Sequence, residues 1–254
     1  MSMYKVKKKM KQKIKIKYPR YHNYVKSFYR EGFDGFIPNI KDKPFDRLYP
    51  DVCAWQFPDL ELIDYVYDYV VNAKQEQKLS KGHCMHDGKT GEHLHVKDSF
   101  DLTYHVDCGG YTHDSVEDFD LANRTIYNWL NHCTLDYSTR NPSVSNEPLA
   151  VEYANIQYQY YDPGGGFKLQ HHERTLVAPN NFTPQQREFV FMIYLNDVDD
   201  GGTHFISKSS TMPARKGLTV IFPAGSEYQH VSQISKTKEK MIITGWILTN
   251  PSWL

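Results

Sequence analysis

The sequence predicts a mostly β, α+β fold in which flanking helices accompany a jelly-roll core. After Pro148, short apolar segments alternate with turn sequences such as Asp-Pro-Gly and Asp-Asp-Gly-Gly, which is typical of closed or double-sheet β structures. Aromatic residues make up 14% of the chain and include 19 Tyr, a composition that favours strands. Before Pro148, apolar residues recur at helical spacing in two stretches, and these predict the flanking helices.

The first part of the chain, residues 1–148, is predicted to be a helical and irregular region that supports the core. Residues 1–20 alternate Lys with apolar residues, which suits an exposed edge strand; a basic arm for an anionic partner is the alternative. Residues 21–57 are rich in Pro, Asp and aromatic residues and are expected to be irregular. A helix is predicted from about Asp59 to Lys78, with its aromatic stripe packed in the core.

A second helix is predicted to start at Ser115, where Ser-Val-Glu-Asp resembles a capping box, and to continue through Cys133. The jelly-roll core then occupies residues 149–254, and the two regions are expected to form one compact unit. Turn signals separate its predicted strands, which are 149–161, 167–171, 187–195, 203–207, 217–222 and 240–248.

A histidine-rich segment, Gly82 to His95, lies between the two predicted helices. Such tracts can bind metal ions. The spacings in this segment match no standard zinc pattern, and its Asp-Gly and Thr-Gly pairs indicate turns. A turn-rich loop without a metal is therefore the preferred interpretation. The segment contains His83, Cys84, His86, His93 and His95.

Composition and charge exclude several classes of protein. Lys+Arg and Asp+Glu balance at 30 each, so no global field favours nucleic acid as a partner. The four Cys form no CxxC pair, and the basic N-terminus has no apolar run after it, so neither a disulfide framework nor a signal peptide is expected. No apolar stretch is long enough to span a membrane. The expected location is the cytoplasm, or the host cytoplasm if the protein is viral.

The most informative stretch is NIQYQYYDPGGGFKLQHHERT, residues 155–175. In an extended segment, residues i and i+2 point to the same side, so His171 and Glu173 would direct an imidazole and a carboxylate at one point. This pair is part of the 2-His-1-carboxylate triad that holds non-haem Fe(II) with open positions. His172 alternates away from that side and is expected to be exposed or to support the ligands.

A further histidine must complete such a triad, and two follow Glu173 in the sequence. His204 lies close behind a tight turn, where a surface or packing role is the simpler explanation. His230 follows the segment GLTVIFPA and can approach from the opposite sheet. Lys240 opens the apolar run MIITGWIL, where a buried ammonium needs an anion such as a bound dicarboxylate. The alternative is that Lys240 belongs to a solvated, lysine-rich turn.

The order Tyr-x-Pro-Gly-Gly-Gly, His-x-acid, Tyr-Leu-Asn, Gly-Gly-Thr, then His, Lys and Trp resembles the Fe(II)/2-oxoglutarate-dependent dioxygenases. Within that superfamily it is most similar to the prolyl 4-hydroxylase branch, including its small stand-alone microbial and phage members. The resemblance covers roughly residues 150–250. It implies a double-stranded β-helix, with Fe(II), 2-oxoglutarate and O2 as cofactors and cosubstrates. It also makes ascorbate a candidate cofactor.

The same resemblance implies a role for individual residues. The implied iron ligands are His171, Glu173 and His230, with no catalytic residue beyond the metal centre. Lys240 is implied to pair with the 5-carboxylate of 2-oxoglutarate, and Tyr161 and Tyr194 to line the cosubstrate pocket. Trp246 corresponds to an aromatic residue that supports the ligands.

The implied activity is hydroxylation of a substrate C–H bond, most simply of a prolyl residue in a peptide, with release of succinate and CO2. One residue departs from the branch, which usually has Asp at the position of Glu173. Two alternatives stay open. The substrate could be a small metabolite or a nucleobase, or the chain could be a non-catalytic jelly-roll module that binds a metal without 2-oxoglutarate. The oligomeric state does not follow from the sequence.

Overall fold

The computed structural model describes residues 45–49, 51–87, 89–104, 118–144, 149–152, 156–174 and 187–249. Within these ranges the chain forms two α-helices, α1 (Leu60–Gln75) and α2 (Asp118–Arg140). Strands in the first half are β1 (Phe45–Tyr49), β2 (Val52–Gln56), β3 (Ser80–Lys81), β4 (Cys84–His86), β5 (Lys89–Gly91), β6 (Lys97–Asp98) and β7 (Phe100–Tyr104). Strands in the second half are β8 (Leu149–Val151), β9 (Ile156–Tyr161), β10 (Gly166–Phe167), β11 (Arg187–Tyr194), β12 (Val198–Phe205), β13 (Ser210–Ala214), β14 (Leu218–Pro223), β15 (His230–Ser232) and β16 (Lys240–Thr249).

Two antiparallel sheets form the core of the described residues. The larger has nine strands in the order β1-β2-β14-β11-β16-β9-β7-β3, with β8 paired to β16. The smaller has three strands in the order β13-β12-β15. Side chains of the two sheets share one buried cluster, so the sheets pack face to face. Two short two-stranded pairs lie outside these sheets: the hairpin of β4 with β5, and β6 paired with the distant β10.

The central strand β11 shows why the larger sheet is buried on both faces. Its alternate residues Phe189, Phe191 and Ile193 pack in the cluster that includes the helices. The residues between them, including Val190 and Met192, pack in the cluster between the two sheets. A strand buried on both faces has a continuous apolar sequence, which the segment FVFMIY has.

The helices cover the outer face of the larger sheet. Asp59 caps α1 by accepting a 3.1 Å hydrogen bond from the backbone N–H of Leu62. On α2, the Trp129 indole N–H donates a 2.8 Å hydrogen bond to the hydroxyl of Thr219 on β14, and both residues are buried. This bond fixes the helix against the sheet at a position where each polar group would otherwise be unpaired. None of the helices described is long and apolar enough to span a membrane.

The structure confirms the predicted fold class and most of the predicted elements. The first helix lies within the predicted bounds, and the predicted strands of the core correspond to β9, β11, β12, β14 and β16. Residues 115–117, where the second helix was predicted to begin, lie outside the described residues, as do residues 1–20. From Asp118 onwards α2 continues beyond Cys133 to Arg140.

Three predictions of local structure are wrong. Residues 45–56 were expected to be irregular, but β2 extends the larger sheet by pairing with β14, and β1 pairs with β2 at the edge. The strand predicted at 167–171 is reduced to β10 and an isolated bridge at His171, because Lys168 donates its backbone hydrogen bond to Val96 instead. Strand β13 was not predicted, since its sequence STMPA lacks an apolar alternation.

The division of the chain at residue 148 stays a prediction. The larger sheet takes strands from both sides of that position, because β7 pairs with β9 along five residues from Phe100 to Tyr104. The first part of the chain therefore contributes strands as well as helices to the core.

Replacing Trp129 by Phe tests the link between α2 and the larger sheet. The variant removes one donor and leaves the buried Thr219 hydroxyl unpaired, so we expect a loss of about 1–3 kcal/mol in the free energy of unfolding. Urea denaturation measures this quantity. The double variant Trp129→Phe/Thr219→Val, which removes both partners, should be more stable than the sum of the single changes. Strict additivity would contradict the assigned hydrogen bond.

Candidate functional site

Three side chains that could hold a metal ion converge at one end of the core. One ligand atom from each of His171, Glu173 and His230 lies within 4.8 Å of the other two. Reciprocal backbone hydrogen bonds of 3.0 and 2.9 Å join His171 to His230 and place the two imidazoles side by side, with ring centroids 4.4 Å apart. The backbone N–H of Glu173 is held by the carbonyl of Ala224 at 3.2 Å. The predicted alternation of His171 and Glu173 toward one point is therefore present.

Backbone carbonyls orient both imidazoles. Nδ1 of His171 lies 3.0 Å from the carbonyl oxygen of Leu169, and Nδ1 of His230 lies 3.0 Å from that of Tyr228. A ring nitrogen beside a carbonyl oxygen is a protonated one, so Nε2 is the nitrogen of each ring that faces the site and would bind a metal ion in place of a proton. Histidines that bind metals are commonly held in this way.

The electrostatics suit a neutral-imidazole and carboxylate donor set. Burial lowers the pKa of His230 to about 4, with a further contribution from the neighbouring His171, so this ring is neutral at pH 7. Burial by itself would raise the pKa of Glu173, but the hydrogen bond and charge of His171, together with His230 and Arg187, bring it far below its usual range. Metal ligands must be deprotonated, and both groups meet that requirement.

Two further residues hold the carboxylate of Glu173. The Trp246 indole N–H donates a 3.0 Å hydrogen bond to its Oε2, as the supporting role predicted for this tryptophan requires. The Arg187 guanidinium lies 3.4 Å from the centre of the Trp246 ring, and its Nη1 is 3.6 Å from the same carboxylate oxygen. Sequence reasoning missed Arg187, because an arginine at the start of a strand carries no local signal of such a role.

These groups open onto a cavity of about 410 Å³ between the two sheets. Polar residues of β9 and apolar residues of β11 form its inner part, and the hairpin β4–β5 forms part of its wall. The lining residues are His83, Cys84, Met85, Thr90, Lys97, Gln157, Gln159, Tyr161, Phe167, His171, His172, Glu173, Arg187, Val190, Met192, Thr203, His230, Ser232, Lys240, Ile242, Thr244 and Trp246.

Lys240 reaches into this cavity from the start of β16. The residue is 4% exposed, and burial lowers the pKa of its ammonium to about 8. Its Nζ contacts the hydroxyl of Ser232 and lies 3.4 Å from the carbonyl oxygen of Gln233 and 5.1 Å from the centre of the Tyr161 ring. No carboxylate of the described residues forms an ion pair with it. The alternative of a solvated lysine is therefore wrong for Lys240.

Of the other residues considered in the sequence analysis, Tyr161 and His172 line the cavity and Tyr194 does not. Tyr161 lines the cavity, and its hydroxyl donates a 2.5 Å hydrogen bond to Oε1 of Gln159. Tyr194 was expected to line the pocket too, but it lies behind the wall, where its hydroxyl is 2.7 Å from that of Thr203. His172 was expected to point away from the metal side; it lines the cavity, and its buried Nδ1 has no hydrogen-bond partner in the described structure.

His204 lies away from the cavity and contacts the Thr211 hydroxyl at 3.0 Å, in keeping with a packing role on β12. The histidine-rich segment forms the hairpin β4–β5 and the turn after it, rather than a loop. Four of its residues, His83, Cys84, Met85 and Thr90, line the cavity, which the sequence did not indicate.

Comparisons with known proteins agree with this geometry. Residues 156–248 match the model of the 2OG-Fe(II) oxygenase superfamily. A Pseudomonas putida prolyl-4-hydroxylase is similar in structure, with a TM-score of 0.57 and 16% identity over 80% of this chain and 95% of that one. So is a Trichoplax adhaerens prolyl hydroxylase solved in complex with a hypoxia inducible factor oxygen degradation domain peptide fragment, with a TM-score of 0.56 and 13% identity over 80% of this chain and 85% of that one. No curated protein sequence matches the chain.

The fold and the donor set of the site are similar to those of Fe(II)- and 2-oxoglutarate-dependent dioxygenases. Residues 156–248 are the part of the chain that matches the 2OG-Fe(II) oxygenase superfamily, and the double-stranded β-helix is the fold of the Pseudomonas putida prolyl-4-hydroxylase. The matched superfamily implies Fe(II), 2-oxoglutarate and O2. His171, Glu173, His230 and Lys240 all lie within the matched segment.

Replacing Trp246 by Phe tests the support of the candidate metal ligands. The variant removes the hydrogen bond from the Trp246 indole to Glu173 while preserving an aromatic ring, and we expect affinity for Fe(II) or Mn(II) to fall about 10–100-fold. Anaerobic metal titration measures this. Trp129→Phe, which also loses an indole hydrogen bond but on the far face of the sheet, should bind metal as the parent does. Equal metal affinity in both variants would contradict the role of Trp246.

Proposed function

We propose that this chain is an Fe(II)- and 2-oxoglutarate-dependent dioxygenase that hydroxylates a C–H bond of a prolyl residue in a peptide, with release of succinate and CO2. The proposal rests above all on Lys240. Lys240 carries a buried ammonium that has no carboxylate partner among the described residues. It opens onto the same cavity as two imidazoles and a carboxylate, and such a charge needs an anionic ligand. A module that only bound a metal would gain nothing from this charge.

His171, Glu173 and His230 are proposed to hold Fe(II), which their donor set fits. Two neutral imidazoles and one carboxylate on one side of a metal leave positions open for 2-oxoglutarate and O2. Bound iron would supply the oxidation of the C–H bond, coupled to oxidative decarboxylation of 2-oxoglutarate. Trp246 and Arg187 fix the carboxylate, and the backbone carbonyls fix the rings, so the ligands are positioned before any metal binds.

Lys240 is proposed to receive the 5-carboxylate of 2-oxoglutarate. Its ammonium retains hydrogens for an anion beyond the contacts to Ser232 and Gln233. Apolar residues of β11 and β16, such as Met192 and Ile242, line the cavity and exclude water from this pair. The Tyr161 ring lies beside the ammonium, and its hydroxyl, held by Gln159, is fixed in orientation.

Glu173 occupies a position where the related branch usually has Asp. The structure shows how the longer side chain is accommodated, because its backbone is held at Ala224 and its Oε2 is held by Trp246. Its other oxygen, Oε1, lies 3.4 Å from Nε2 of His171 and is the one proposed to reach the metal. Replacement by Asp would withdraw that oxygen from the imidazoles.

A peptide is the proposed substrate. The Trichoplax adhaerens relative in fold was solved with a peptide fragment bound. In this chain the wall formed by β4–β5 presents Met85, which is 49% exposed, and such an apolar side chain suits the rings and aliphatic groups of a peptide. A small metabolite or a nucleobase is the alternative substrate.

Turnover with a library of prolyl peptides tests the function. We expect the purified chain, supplied with Fe(II), 2-oxoglutarate and O2, to release succinate and to add one oxygen to proline, as measured by mass spectrometry and amino-acid analysis. Absence of both peptide-dependent succinate and 2-oxoglutarate binding would refute the enzyme proposal. Succinate release stimulated by a metabolite or nucleoside, but by no peptide, would refute only the substrate.

Replacing Lys240 by Ala tests the cosubstrate site separately. We expect the dissociation constant of 2-oxoglutarate, titrated anaerobically with Mn(II) in place of iron, to rise about 30-fold or more, equivalent to ~2 kcal/mol. Metal affinity should be unchanged. Lys236→Ala, in the exposed loop before β16, is the matched control and should bind 2-oxoglutarate normally. Unchanged cosubstrate affinity in Lys240→Ala would exclude the proposed pairing.

The pH dependence of cosubstrate binding follows from the lowered pKa of Lys240. The cation attracts the carboxylate and the neutral amine does not, so affinity should be nearly constant below the pKa of about 8 and should weaken as the pH rises above it. Lys240→Arg, whose guanidinium stays charged, should bind with little change over the same range. A parent protein whose affinity is constant up to pH 10 would contradict this expectation.

Ascorbate and location stay predictions. Sustained succinate release on addition of ascorbate, against a control without it, tests the first. Fractionation of the producing cell tests the proposed cytoplasmic location.

A further inference from the structure

The hairpin β4–β5 and the turn after it contain a cluster of imidazoles that the dioxygenase site does not use. His86 ends β4, while His93 and His95 follow β5, and we call these three residues the histidine cluster. Their ring centroids are 5.6 Å apart for His86 and His93, 4.9 Å for His86 and His95, and 6.1 Å for His93 and His95. The chain thus folds back so that each ring meets both of the others.

These separations are those of imidazoles around one metal ion. With metal–nitrogen distances of about 2.0 Å and tetrahedral angles, the centroids of two ligand rings lie roughly 5 Å apart. In the proposed iron site of this chain the corresponding distance between His171 and His230 is 4.4 Å. Packing alone does not require the three rings to lie next to one another. A shared metal ion would explain why all three do.

The surroundings of the rings favour coordination over packing. Nε2 of His93 lies 3.2 Å from the carbonyl oxygen of Lys89; as an N–H donor there, it leaves Nδ1 with a free lone pair. The Asp87 carboxylate is 3.5 Å from Nε2 of His86 and is largely exposed. The nitrogens of the three rings do not yet converge as closely as the ligand atoms of the iron site. Rotation about side-chain bonds would bring them together, and the exposure of His95 leaves room for it.

We propose that His86, His93 and His95 bind a second divalent metal ion, for which Zn²⁺ is the best match. Zinc accepts imidazole ligands in tetrahedral geometry, and a water molecule or the Asp87 carboxylate would complete the set. The ion would clip β4 to the turn that follows β5. This inference goes beyond the dioxygenase activity and does not depend on it.

Zinc bound by the histidine cluster would affect the cavity wall. Strands β4 and β5 have three residues each and pair only with one another, and an isolated two-stranded hairpin is marginally stable in water. Metal binding would add its free energy to the folded form of this segment. Since Met85 and Thr90 of the same hairpin line the cavity, zinc would order part of the wall against which the substrate lies.

Zinc titration of the full chain tests the proposal. Because the iron site also has zinc ligands, the parent for this experiment is the variant His171→Ala/His230→Ala. We expect equilibrium dialysis with Zn²⁺ to show one ion per chain. Adding His93→Ala and His95→Ala should raise the dissociation constant at least about tenfold. Adding His83→Ala instead, an exposed histidine of the same segment outside the cluster, should leave it unchanged.

Hydrogen exchange gives a readout that does not depend on stoichiometry. Zinc should slow amide exchange in residues 82–97 of the His171→Ala/His230→Ala protein, with no effect once His93 and His95 are replaced. The thermal melting of each variant, compared with that of the His171→Ala/His230→Ala protein, detects misfolding caused by the further substitutions. Absence of bound zinc in the parent variant, or binding that survives removal of the cluster, would overturn the proposal.

Discussion

The site depends on the reciprocal backbone hydrogen bonds between His171 and His230. These two residues are far apart in sequence: His171 lies outside the named strands, and His230 begins β15, which pairs with β12. The bridge fixes the distance between their backbones, and carbonyls of Leu169 and Tyr228 then fix the rings. Glu173 completes the arrangement through its own backbone bond to Ala224. The ligand geometry is therefore set mainly by the main chain, which side-chain substitutions nearby disturb least.

The second constraint is the burial of the Lys240 ammonium without a neighbouring carboxylate among the described residues. Lys240 sits opposite Tyr161 in the pairing of β16 with β9, so its side chain enters the cavity instead of solvent. Burial lowers the pKa of the Lys240 ammonium. The size of that shift measures how much less stable the charged form is in the cavity than in water. A carboxylate ligand would restore that free energy on binding. The proposed preference for a dicarboxylate therefore rests on the unneutralised charge of the buried Lys240 ammonium.

Much of this could be predicted from the sequence, for identifiable reasons. The His-x-Glu spacing determines that both side chains point one way in extended backbone, whatever the rest of the fold does. Trp246 was also found, because the order of motifs around it resembles a known superfamily. Two features could not be predicted: the contact of Arg187 with Trp246, and the position of Tyr194 outside the cavity lining. Both depend on how side chains pack against residues elsewhere in the chain. Strands β1 and β2 were missed because β2 joins the sheet by pairing with the distant β14 and β1 pairs with β2, and non-local pairing leaves no periodic pattern in the sequence.

The position of the hairpin β4–β5 has a consequence for the evolution of substrate specificity. It supplies cavity wall from residues 83–90, outside the segment 156–248 that holds the proposed iron and 2-oxoglutarate ligands. Mutations there would alter which molecules fit without touching the groups proposed to perform the oxidation. Substitutions in this one short hairpin could therefore change the substrate during evolution, while the proposed metal and cosubstrate ligands stay the same.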